Sequence, residues 1–128
     1  MITDIHKKEV ITELNISKLP NYWFKYFEYE KDIELCNQTK NELLKVIEIA
    51  KKMDSPYIDS QIVISKILTE LGSKHSFHRQ FSERFPDSNS GKVLGMQLYN
   101  IILNDCDVWI FTKKKPRNHE FSHAVYFK

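Results

Sequence analysis

His119-Glu120-Phe121-Ser122-His123 has the H-E-x-x-H spacing of a zinc site. On a helix the two imidazoles share a face and hold one Zn²⁺, while the glutamate between them acts as general base toward a metal-bound water. That chemistry takes a third ligand from beyond the motif, and Ala124, Val125, Tyr126, Phe127 and Lys128 offer none of the usual kinds. The flanking pattern also opposes a helix, because Phe121, Val125 and Phe127 alternate with Glu120, Ser122, Ala124 and Tyr126 as in a half-buried strand. In a strand the two histidines stand about 13 Å apart at roughly 3.3 Å per residue, too far to share a metal. The expectation is a protein with no metal and no other cofactor.

Other residues are candidates for different chemistry. His75 and His78 lie one helical turn apart, and with His119 and Arg117 they have the types needed for general acid–base cleavage of RNA. Two histidines near a helix start are more commonly solvated or bonded to backbone. Lys113, Lys114, Lys115 and Arg117 form a basic loop suited either to phosphate contact or to keeping a turn soluble beside apolar strands. Tyr22, Trp23, Phe24, Tyr26, Phe27 and Tyr29 are too dense for one element to bury them all, so Tyr22, Trp23, Tyr26 and Tyr29 are expected to meet a partner. No phosphate-binding glycine loop, serine-hydrolase elbow or zinc-finger spacing occurs.

The elements that would position these residues read as mainly helical. Ser55 as N-cap, Pro56 at the first helical position and Gly72 just past the end bracket a helix carrying Ile64, Leu68 and Leu71. From about Leu35 to Met53, Leu43, Leu44, Ile47 and Ala50 make an amphipathic helix. A short helix fits 74–85, where Phe77, Phe81 and Phe85 recur before Pro86, and Val93, Leu94, Leu98, Ile101 and Ile102 give a central helix ending near Asn104. Ile5, Val10, Ile11 and Leu14 allow a first helix, while the aromatic stretch fits helix or strand. Val108 to Phe111 and Phe121 to Phe127 predict an antiparallel hairpin closing the chain. The fold class expected is therefore α+β over 1–128 as one domain. It has about four to five helices and a C-terminal antiparallel β-hairpin, with a third strand available from the aromatic N-terminal segment.

Length and composition narrow the function. With 128 residues, 41% hydrophobic and 28% charged, the chain can bury a core, and no apolar run reaches the ~20 residues of a bilayer span. The start lacks the apolar stretch of a signal peptide, and Cys36 and Cys106 without paired spacing suit free thiols, so a cytoplasmic location is expected. The net charge of +2 is local: setting the basic loop's four positives aside leaves fifteen basic residues against 17 acidic ones. Nucleic acid and membrane are thus poor partners. The function expected is a non-catalytic protein-binding module, a small inhibitor of the bacterial immunity-protein or antitoxin type that blocks a toxin. A histidine-dependent hydrolase, either zinc peptidase or ribonuclease-like, is the alternative, and a nucleic-acid binder acting through the basic loop is the second.

Overall fold

Residues 1–12, 29–72, 83, 89–114 and 123–128 are described in a computed structural model of the chain. Among them the order is β1 (Ile2–Asp4), β2 (Glu9–Ile11), α1 (Tyr29–Lys51), β3 (Tyr57–Asp59), α2 (Ser60–Gly72), α3 (Asn89–Leu103), β4 (Trp109–Lys114) and β5 (His123–Phe127). The strands form one five-stranded sheet in the order β2-β1-β4-β5-β3, in which β1 pairs parallel with β4 and the other neighbours are antiparallel.

This architecture corrects the expected fold class. The described residues hold three helices and a mixed sheet, not four to five helices with a terminal hairpin. Strands β4 and β5 do pair antiparallel, but they lie inside the sheet, flanked by β1 and β3. The expected first helix is a hairpin, since β1 and β2 pair Ile2 with Ile11 and Asp4 with Glu9. Its apolar residues serve period two instead: Ile2 is fully buried, whereas Val10 and Ile5 are 58% and 49% exposed. Asp4 closes the intervening turn by accepting from the backbone N–H groups of His6 and Lys7 at 2.9 and 3.1 Å. The helix expected from Ser55 begins only at Ser60. Tyr57–Asp59 is drawn into the sheet because Ile58, once paired opposite Tyr126, is buried in the core. Pro56, lacking an N–H, sits just ahead of this outer strand, where its carbonyl accepts from Lys128 N–H at 3.3 Å.

The other helices follow their apolar periodicity. In α1, Thr39, Leu43, Ile47 and Ala50 form the buried stripe, and tighter turns from Ile49 and Ala50 carbonyls to Lys52 and Met53 end it. In α3, Val93, Leu94, Met96, Gln97, Leu98, Ile102 and Leu103 are all buried, so this helix occupies the middle of the core. Asn104 caps its end, its side-chain amide donating to the Asn100 carbonyl at 2.8 Å. Buried between α1 and α3, the Thr39 hydroxyl donates to Gln97 Oε1 at 2.7 Å.

Register assigns the sheet two faces. Ile2, Ile58, Trp109, Phe111 and Tyr126 point one way and join residues of all three helices in a single hydrophobic cluster. Thr3, Asp59, Ile110, Thr112, His123 and Val125 point the other way, away from the three described helices. The third strand expected from the aromatic segment lies outside the described residues except for Tyr29, which opens α1; the helix expected over 74–85 lies outside them except for Glu83.

Candidate functional site

The best-formed polar pair on the sheet face away from the helices joins the ends of two strands. His123, first residue of β5, places Nε2 3.0 Å from Oδ2 of Asp59, last residue of β3, and both side chains are largely buried. The other oxygen of Asp59 accepts from Gln61 and Ile62 N–H at 3.0 and 3.4 Å, making Asp59 the N-cap of α2. One carboxylate thus starts a helix and orients an imidazole. In the neutral ring this contact puts the proton on Nε2 and leaves Nδ1 as acceptor. Among the described residues no hydroxyl or thiol bonds that nitrogen, so the pair has a base and its orienter without a nucleophile.

A second histidine, which sequence reasoning did not single out, sits nearby in the sheet order. Beyond the last β1–β4 pair, Asp4 with Phe111, the chain turns away and His6 fills the lost strand partner's place. Its Nε2 accepts the Lys113 N–H at 3.3 Å and lies 3.1 Å from Thr112 Oγ1. Lys113 and Lys114 continue β4 as exposed residues, Lys114 directly opposite His123. The structure therefore brings His6, Lys113, Lys114 and His123 to one end of the sheet. Of the other predicted site residues, Tyr22, Trp23, Tyr26, His75, His78, Lys115, Arg117 and His119 lie outside the described residues, and of Tyr29 only the backbone is described. The helical geometry that the zinc motif needs does not hold at its last member, because His123 is a strand residue.

The opposite end of the sheet carries an ionic knot. Asp105 receives Lys51 Nζ at 2.5 Å on one oxygen, and Trp109 Nε1–H at 2.9 Å and Asp107 N–H at 3.3 Å on the other. Lys128 bonds Asp107 and lies 5.0 Å over the Trp109 ring. Burial pushes the Asp105 carboxyl up, but the hydrogen bonds from Lys51 and Trp109 outweigh it and hold the group below the ordinary carboxylate range. Side-chain donor atoms of Asp105, Cys106 and Asp107 lie within 4.8 Å of one another. With Lys51 on Asp105 and Lys128 on Asp107, ammonium groups already neutralise this donor set, so the cluster is a structural tie. An Asp-x-Asp after a helix end signals a turn in sequence, but nothing there points to a lysine 54 residues away.

No helix among the described residues is long and apolar enough to cross a membrane. Comparison with known proteins finds no matching family model, no matching curated protein and no matching solved structure.

Proposed function

We propose that the chain works by stoichiometric, non-catalytic binding of another protein in the cytoplasm, as a small inhibitor of the bacterial immunity-protein or antitoxin type. The observation that carries this reading is the commitment to the fold of several carboxylates and their partners among the described residues. Asp4 closes a turn, Asp59 caps a helix and holds His123, and Asp105 ties Lys51 to Trp109. Groups so engaged have few atoms left for substrate chemistry.

What remains outward-facing suits recognition. Lys113 and Lys114 are exposed at one end of the sheet, and Tyr57 is 43% exposed on the outer strand β3. A basic tip is complementary to an acidic surface on the partner and speeds its encounter. Tyr22, Trp23, Tyr26 and Tyr29 would supply the aromatic anchors.

The test begins with recovery of a partner on the tagged chain from its native cell, followed by calorimetry with the purified pair. Expected are one-to-one stoichiometry and a loss of about tenfold in affinity on reversing Lys113 and Lys114 to Glu, mostly in the association rate. Truncating one correctly chosen aromatic of Tyr22, Trp23, Tyr26 or Tyr29 should cost about 2 kcal/mol, roughly thirtyfold, with the fold intact. Turnover of a substrate by sub-stoichiometric chain would overturn the reading.

A further inference from the structure

The backbone ladder between β1 and β4 is finished by a side chain. Alternate residues of β4 turn their backbone groups toward β1: the Trp109 N–H donates to the Met1 carbonyl at 3.0 Å, and the Phe111 carbonyl accepts from the Ile5 N–H at 3.3 Å. The next donor in that row is the Lys113 N–H. A continued β1 would offer it the Ile5 carbonyl, but the chain turns away after the Asp4–Phe111 pair, and His6 Nε2 accepts it instead at 3.3 Å. The same nitrogen lies 3.1 Å from Thr112 Oγ1.

An imidazole nitrogen accepts an N–H only through its lone pair, so this contact requires a neutral His6 with its proton on Nδ1. The Thr112 hydroxyl, facing the same nitrogen, is then a second donor to it. Protonation inverts the arrangement. Nε2 becomes a donor and faces the Lys113 N–H like to like, while Thr112 Oγ1 changes from donor to acceptor and alone can keep the ring. The Lys113 amide then has no partner on the β1 side of the ladder.

Among the described residues, the charged groups about this end of the sheet are Asp4, Lys7, Lys8 and Glu9 on the β1–β2 hairpin and Lys113 and Lys114 on β4, with the Asp59–His123 pair of β3 and β5 beyond Lys114. They carry both signs, so the ring and the amide themselves, not the stability of the whole chain, are the place to read the proton. We propose that His6 is a proton-operated latch on the end of β4: neutral, it extends the β1–β4 ladder by one bond; protonated, it releases the Lys113 amide and loosens the exposed Lys113–Lys114 tip. That tip is the surface the protein-binding reading assigns to a partner, but the latch acts without one and stands or falls separately.

The test is a nitrogen-15 NMR titration of the full chain from about pH 8 to about pH 5, the range in which histidine changes charge. The Lys113 amide shift should move with the same midpoint as the His6 ring nitrogens. Its hydrogen-exchange protection, corrected for the intrinsic pH dependence of exchange, should fall about fivefold across that midpoint. His6→Gln, whose side-chain oxygen accepts an N–H but does not titrate, should keep the amide protected at both ends of the range. His6→Ala should leave it unprotected at both. The His123 ring is followed in the same spectra as a separate titration. A Lys113 amide that does not respond to pH, that follows the His123 midpoint instead, or that still responds in His6→Ala overturns the proposal.

Discussion

The Lys51 ammonium stands 2.5 Å from the Asp105 carboxylate, tying the last turn of α1 to the segment between α3 and β4. Both side chains are mostly shielded, at 18% and 13% exposure, so the pair is poorly screened. Removing one partner strands the other, and Lys51→Met is expected to lose about 2 kcal/mol of stability in urea unfolding. The pH dependence has a defined sign. Asp105 is held below its ordinary 3.8, so its contribution is complete above that value and is lost as pH falls below it. Lys51, raised above 10.5 chiefly by its hydrogen bond to Asp105, contributes fully below that value and less as pH rises beyond it. In Lys51→Met the acid limb of the stability curve should flatten; an unchanged acid limb would show that this pair does not set it.

Alkaline conditions test a different part of the core. Burial pushes the Tyr99 and Tyr126 phenols up from their ordinary 10.0, because ionising either one inside the cluster is unfavourable. Their contribution is complete below about pH 10 and declines as pH rises above it. Tyr126→Phe and Tyr99→Phe together should give a shallower fall in Tm between about pH 10 and 11.5 than the parent chain shows. An identical slope would show that these two phenols do not set the alkaline loss.

The same residues show where sequence reading succeeds. Periodicity located α1 and α3 because Leu43, Ile47 and Ala50, and Val93, Leu98 and Ile102, bury one stripe each, a property written locally. It failed at Tyr57-Ile58-Asp59, whose strand exists only through pairing with Val125–Phe127, 66 or more positions along the chain. Ser55 and Pro56 gave sound local helix signals, but the long-range ladder displaced the helix start to Asp59 as cap. At the candidate site, His123 was visible through its motif and its strand alternation. Its partner Asp59 was not, nor was His6, since no pattern in the chain announces a contact spanning 64 or 107 positions.

Lys8 adopts φ of 52°, a left-handed conformation that is costly for a side chain with a Cβ. It closes the hairpin turn that Asp4 organises, so the geometry is imposed by the β1–β2 register. Lys8→Gly relieves the strain at some cost in chain entropy, and a net gain of about 0.5–1 kcal/mol is expected. Urea unfolding of the variant reads it directly, and a loss of stability would mean that the lysine side chain itself holds the turn.

Asp59 performs two tasks with two oxygens, and substitutions separate them. Asp59→Asn retains an oxygen able to cap Gln61 and Ile62, but its amide nitrogen cannot accept from the His123 Nε2–H. Asp59→Ala removes both. Asn should therefore cost well under the loss in Ala, which is expected at about 2 kcal/mol from cap and pair together. Combining Asp59→Asn with His123→Ala should cost less than the sum of the two single changes, because each already breaks the same contact. Nitrogen chemical shifts of the imidazole give an independent reading: Nε2–H is the expected tautomer in the parent chain, and the preference should weaken in Asp59→Asn. Because β5 places His123 in a strand against this carboxylate, added zinc should bind no more tightly to the parent than to His123→Ala. Tight stoichiometric zinc that depends on His123, with Asp59→Asn and Asp59→Ala equally destabilised, would remove the structural role and restore the metal site.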